Sequence, residues 1–207
     1  MCVIVNDTMM SLYLLLAITL LAATSLVYCG WRNGITPMPS SRKAKDALVK
    51  TTVEELRQVK TNPAVVVEVG SGWGGVALSL AARLPQAGIH GYENSPFPYL
   101  ISRLRAKLAG YSNLNLHFGD YRRAPLTSSD ILVCYLFPGG MQDIARLITQ
   151  QAVEPYERTN STIPVEQTAP IIISNTFALP DHTPDRRIQS GDTSLSIIYV
   201  YRPEQLR

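Results

Sequence analysis

The run Val65 to Gly75, V-V-V-E-V-G-S-G-W-G-G, constrains the fold more than any other stretch of the chain. Three consecutive valines followed by Glu68 and Val69 suit a strand covered on both faces, because β-branched side chains pack well on a buried pleat. Gly70, Gly72 and Gly74 then allow a tight turn, and the apolar pattern from Val76 to Leu84 continues as a helix that stops before Pro85. A strand, a glycine turn and a helix N-terminus in succession make a cradle for a phosphate or a nucleotide.

Two cofactor classes fit this outline. Gly70, Gly72 and Gly75 satisfy G-x-G-x-x-G, the dinucleotide fingerprint, and the overlapping E-x-G-x-G-x-G is satisfied as well. Glu68 favours the second class. A carboxylate two residues before the first glycine has little use beside a pyrophosphate, but it can orient the ammonium end of a methionine-like ligand. The run therefore reads as an S-adenosylmethionine site, set against a glycine-rich turn that binds nothing.

Upstream, Thr8 to Trp31 carries no charged residue and is dominated by Leu, Ala, Ile and Val. It is long enough for a bilayer core, which needs about 20 apolar residues. A cleaved signal peptide expects positive charge before the apolar run and small residues at the cut site, and neither is present. A retained single-pass anchor over about residues 9–30 is expected. Arg32, Arg42, Lys43, Lys45, Lys50, Arg57 and Lys60 follow it against only Asp46, Glu54 and Glu55, so the C-terminal body is expected in the cytoplasm. This basic excess reads as topology and attraction to anionic lipid, not as nucleic-acid binding. The expected organisation is 1–31 with the anchor, 32–62 as a basic juxtamembrane linker and helix, and 63–207 as the globular domain. Cys2, Cys29 and Cys134, with His90, His117 and His182, are too scattered for a metal site or a disulfide framework.

Along the rest of the chain the elements alternate. Gly34 to Ser41 is a linker, and Ser40 or Ser41 can cap a helix through Ala44, Leu48, Val49, Val53, Leu56 and Val59 that ends at Asn62-Pro63. Gly88 to Glu93 is a second strand whose carboxylate lies a little over 20 residues past Gly70, the spacing at which it reaches ribose hydroxyls. Leu100, Ile101, Leu104 and Leu108 are expected as the buried stripe of the next helix, with Arg103, Arg105 and Lys107 as its solvated flank. Leu114 to Phe118 is a third strand ending at Gly119-Asp120-Tyr121, where Asp120 can accept from an adenine amino group or simply shape the turn.

Asp130 to Phe137 reads as the fourth strand, followed by a turn at Pro138-Gly139-Gly140 and a helix from Met141 to Ile148. Gln150 to Thr168 is polar and reads as a surface loop, and Pro170 to Ser174 as a fifth strand ending in S-N-T-F-A-L-P. Arg187 to Ser190, a Gly191-Asp192 turn and Ser194 to Tyr201 read as an antiparallel hairpin. The fold class is α/β: a Rossmann-like, doubly wound, mostly parallel seven-stranded sheet closed by an antiparallel hairpin, with one N-terminal transmembrane helix.

With P-M-P-S-S, E-V-G-S-G-W-G-G, G-Y-E-N-S-P, G-D-Y, Y-L-F-P-G-G and S-N-T-F-A-L-P in order, the chain resembles the class I S-adenosylmethionine-dependent methyltransferases. It is most similar to small membrane-anchored prokaryotic relatives of the mitochondrial lysine methyltransferases of the ATP-synthase c-subunit and adenine-nucleotide-translocase type. The resemblance implies that Glu68, Gly70, Ser71, Gly72 and Gly74 hold the methionine part, Glu93 the ribose and Asp120 the adenine, with Tyr121 also expected at the cofactor. Trp73 and Gly75 depart from the eukaryotic relatives, which tend to carry an acidic and a basic residue there.

Tyr135, Pro138 and Asn175 are expected to position the acceptor. The expected acceptor is a lysine of a membrane-associated protein, and the expected location a bacterial inner membrane. No metal or nucleic-acid partner is expected. A lipid headgroup amine or small molecule as acceptor, and a non-catalytic nucleoside-binding module, are the competing readings.

Overall fold

The computed structural model describes residues 7–34, 41–59, 61–153, 169–190 and 196–206. An apolar helix comes first, α1 (Asp7–Asn33), then α2 (Arg42–Leu56), for which Ser41 is the N-cap with its Oγ accepting from Ala44 N at 3.2 Å. The strands and helices that follow are β1 (Val65–Val69), α3 (Gly75–Arg83), β2 (Gly88–Glu93), α4 (Pro96–Ala109), β3 (Leu114–Phe118), β4 (Ile131–Cys134), α5 (Pro138–Val153), β5 (Ile171–Asn175), β6 (Arg186–Gln189) and β7 (Ile197–Tyr201). They form one seven-stranded sheet in the order β3-β2-β1-β4-β5-β7-β6. The first five strands run parallel, and β7 enters antiparallel between β5 and β6.

Alternating side chains feed two cores. On one face Val66, Ile89, Ile131, Val133 and Ile173 pack with Leu48 and Val49 of α2 and Leu80 of α3. On the other, Val67, Val69, Leu132, Cys134 and Ile172 pack with Met141, Ile144 and Ile148 of α5. Near-continuous apolar strands are what a sheet covered on both faces requires.

Helix α2 belongs to the first of these layers. It lies on α3, β4 and β5, and its Glu55, with no exposed surface, accepts from Arg186 at 2.7 Å and Arg202 at 2.9 Å. The segment after the apolar helix therefore forms part of one of the two layers that cover the sheet.

Several local expectations need correction. Strand β4 stops at Cys134, and Pro138-Gly139-Gly140 is the first turn of α5, because Pro at the start of a helix gives up only an N–H that would be unpaired there. Leu100, Leu104 and Leu108 are exposed, since α4 meets its neighbours through Pro98 and Ser102. His90 and His117 are not isolated in space: their rings stack at 5.3 Å, with Nδ1 and Nε2 3.1 Å apart, because β2 and β3 pair in parallel. Arg105 is not merely solvated, as its guanidinium donates to the carbonyl of Trp73. Helix α5 runs on to Val153, so the expected loop from Gln150 begins later, and α2 ends at Leu56, short of Val59. The linker residues 35–40, the remaining loop residues 154–168 and the turn residues 191–195 lie outside the described residues.

Candidate functional site

The five parallel strands end on one edge of the sheet, where a doubly wound fold opens its crevice beside the first strand. There the chain turns from β1 through Gly70, Ser71, Gly72 and Trp73 into Gly74, the N-cap of α3. Gly72 has φ +51 and Gly74 has φ +73, and a Cβ on Gly74 would also stand 2.8 Å from Ser102 Cβ. Only glycine fits that second position without moving α4.

Glu93, at the end of β2, ties this turn down. Its Oε2 accepts from Gly72 N at 2.7 Å and its Oε1 from Ser95 N at 2.7 Å. A carboxylate offers about four acceptor positions, so further donors such as hydroxyls can still be received.

Glu68 is 7% exposed and takes the backbone N–H of Ala77, in the first turn of α3, on one oxygen. Its Oε2 has no partner. Burial pushes the carboxyl up to about 8; the Ala77 N–H opposes the shift and the charge of Glu93 adds to it. Among the described residues, Glu68 Oε2, Ser71 Oγ and Asn175 Oδ1 are the buried side-chain oxygens and nitrogens without a hydrogen-bond partner. Each such atom costs about 1–3 kcal/mol when nothing meets it. All three stand at strand ends or in the turn after one, so the crevice edge offers acceptors suited to the ammonium and hydroxyl groups of an amino-acid nucleoside.

Asp120 caps the short helical turn Tyr121–Arg123. Its Oδ1 accepts from Arg122 N at 3.0 Å and its Oδ2 pairs with the Arg122 guanidinium at 3.1 Å, while the same guanidinium reaches Asp143 of α5 at 2.7 Å. Tyr121 is buried against Gly140, and burial pushes its phenol up to about 12, so the hydroxyl keeps its proton at neutral pH. Tyr135 follows β4 half-buried, and Pro138 is exposed. Cys134 is in register with Ser174, so Tyr135, the residue after β4, and Asn175, the last residue of β5, follow neighbouring strand positions at the same end of the sheet.

Several contributors were not anticipated as site residues. Trp73 meets Phe97 edge-to-face at 5.8 Å, bridging the glycine turn and the start of α4. Gly91 lies under the turn, where an added Cβ would stand 3.1 Å from Ser71 Cβ and 2.8 Å from Leu116 Cδ2. A lone glycine inside the G-I-H-G-Y-E strand pattern is the signal for such a close approach.

Residues 68–186, more than half of the chain, match the ANTKMT methyltransferase domain family. The chain belongs to that family. It is thus a class I S-adenosylmethionine-dependent methyltransferase, and its solved relatives share the fold. An RNA methyltransferase from Salinibacter ruber, in complex with S-adenosyl-L-homocysteine, superposes with a TM-score of 0.61 at 20% identity, over 80% of this chain and 93% of that one. A SAM-dependent methyltransferase from Aquifex aeolicus superposes with a TM-score of 0.50 at 11% identity, over 74% and 88% of the two chains. No curated protein matches the chain.

In this methyltransferase the unpartnered acceptors and the Glu93-locked turn fit the donor set that S-adenosylmethionine presents. Among the described residues there is no group of three His, Cys, Asp or Glu arranged to hold a metal ion.

Proposed function

We propose that this methyltransferase methylates a lysine nitrogen of a membrane-associated protein, from a catalytic sheet tethered to the bilayer by α1. The observation that carries the reading is the contact between Gly34 and Phe137: a Cβ built on Gly34, one residue past α1, would stand 2.8 Å from Phe137 Cε2. The end of the apolar helix thus abuts the segment between β4 and α5, which forms the acceptor side. Met9–Trp31 is long and apolar enough to span a bilayer and is almost entirely uncovered by the rest of the chain. The basic flank after it favours a cytoplasmic catalytic body. In this reading 1–31 carries the anchor, 63–207 the catalytic sheet, and 32–62 joins them and lends α2 to its face.

Glu68, Gly70, Ser71, Gly72 and Gly74 would hold the methionine part, Glu93 the ribose hydroxyls, and Asp120 with Tyr121 the adenine. S-adenosylmethionine supplies a methyl group on a sulfonium that departs as a neutral thioether. Most of the catalysis can therefore come from alignment and exclusion of water. Asn175 Oδ1 would accept from an N–H of the incoming amine and aim its lone pair. Tyr135 and Pro138 would form the wall beside it. The apolar surroundings of Leu136 and Phe137 favour the neutral amine that must attack, since burial disfavours an ammonium.

Membranes containing the full chain, incubated with S-adenosylmethionine carrying a tritiated methyl group, test this. Label should partition with protein, be recovered as methyl-lysine after hydrolysis, and vanish in Glu93→Ala. Label in extracted lipid would assign the acceptor to a headgroup amine instead. Cofactor binding with no label above the Glu93→Ala background would assign a non-catalytic module.

A further inference from the structure

Helix α4 carries an apolar face that no part of the described structure covers. Leu100, Leu104 and Leu108, one turn apart, are 59%, 54% and 79% exposed. Tyr111 and Phe118, just beyond the helix and at the end of edge strand β3, are exposed as well. The face is not a misplaced core stripe. Ser102, which seats α4 on Gly74, lies roughly 160° around the helix from Leu104, so α4 already has a buried line on its other side.

The chemistry around the leucines is specific. Helical spacing puts Arg103 and Lys107 along one margin of the stripe and Arg105 along the other, and α4 contains no acidic residue. An apolar stripe bordered by cations is the pattern of a helix lying in the headgroup–acyl boundary of an anionic membrane. Its position agrees, because α1 packs against α4. Cys29, near the C-terminal end of α1, is buried although the span before it is open, so the apolar helix is held against the folded body at its membrane-exit end.

We propose that the Leu100–Leu104–Leu108 face of α4 is a second membrane contact, seated in the leaflet from which α1 emerges, with Arg103 and Lys107 on lipid phosphates. A single anchor leaves the body free to rotate about it. The second contact removes that freedom, and since α4 begins at the Trp73–Phe97 pair, it holds the mouth of the crevice against the bilayer surface. An acceptor nitrogen would then be met at headgroup depth, not in bulk cytoplasm. The inference rests on α1 crossing the bilayer.

The full chain, carrying Cys2→Ser and reconstituted singly in nanodiscs of mixed neutral and anionic lipid, would be labelled with a small fluorophore at Leu104→Cys, Leu20→Cys or Arg146→Cys. Nitroxide-bearing lipids then report depth. Shallow nitroxides should quench the Leu104 label roughly threefold more than the Arg146 label, and Arg103→Glu with Lys107→Glu should reduce that difference. Equal, weak quenching at Leu104 and Arg146 with strong quenching at Leu20 would overturn the inference while leaving the anchor intact. Weak quenching at Leu20 as well would remove the anchor and the inference together. A Leu104 label shielded from water only in discs holding two copies would assign the face to a second copy and overturn the proposal.

Discussion

The carboxylate of Glu93 accepts the backbone N–H of Gly72 at 2.7 Å, tying the end of the second strand to the middle of the glycine turn. Removing it leaves Gly72 N and Ser95 N without their acceptor. Glu93→Ala should therefore cost about 2 kcal/mol of stability, measured by chemical denaturation, because part of the loss is recovered by water entering at the crevice. Backbone amide exchange should accelerate from Gly70 to Gly74 before it does elsewhere.

Glu68 separates stability from binding. Its folded carboxyl titrates near 8 against an ordinary value of 4.5, so its contribution to stability is full below about pH 4.5 and is lost as pH rises through 8. Glu68→Gln keeps an oxygen for Ala77 N–H and cannot ionise. The variant should match wild type at low pH and become the more stable of the two as pH approaches 8. Its affinity for S-adenosylmethionine should fall about tenfold or more, from the lost charge-assisted hydrogen bond. In wild type, binding beside an ammonium should release a proton at pH 7, visible in calorimetry as an enthalpy that varies with the buffer.

The buried acid in the last turn of α2 is a structural group. Glu55 is fully buried between Arg186 and Arg202, whose side chains remain 41% and 30% exposed. In Glu55→Ala, Arg202 keeps its pair with Asp185 at 3.1 Å and the partly exposed Arg186 can reach water, which limits the cost to about 1–3 kcal/mol. Cofactor affinity should be unchanged, because the contact lies on the β6 and β7 edge of the sheet, away from the glycine turn.

Gly91→Ala probes the floor of the turn. A methyl group there would press on both Ser71 and Leu116, and overpacking of this kind costs about 1–3 kcal/mol. Leu116 can shift, whereas Ser71 can give way only by moving the turn. Binding should consequently suffer more than the melting temperature does.

What was readable in the chain follows from range. Strand β1, its glycines and α3 are local events, written in β-branched residues and then in positions with left-handed backbone, so Val65 to Gly75 is legible without knowing its neighbours. Glu93 is legible because parallel strands align their ends, and a fixed spacing then becomes a shared edge. The exposure of the α4 face is not legible for a reason in the physics: helical periodicity shows that Leu100, Leu104 and Leu108 share one side, but not what covers it. The approach of His90 to His117 depends on strand register, and the pairing of Glu55 with arginines 131 and 147 residues away depends on the whole topology. Neither leaves a local trace.

The central claim is that the acceptors left open at the strand ends, together with the locked turn, form the methyl-donor site. Calorimetric titration of the full chain in nanodiscs with S-adenosyl-L-homocysteine, and separately with NAD, tests it most directly. Binding of S-adenosyl-L-homocysteine that weakens about tenfold or more in both Glu93→Ala and Glu68→Gln, with no heat from NAD, is the predicted result. NAD binding in its place, or S-adenosyl-L-homocysteine affinity untouched by both substitutions, would contradict it.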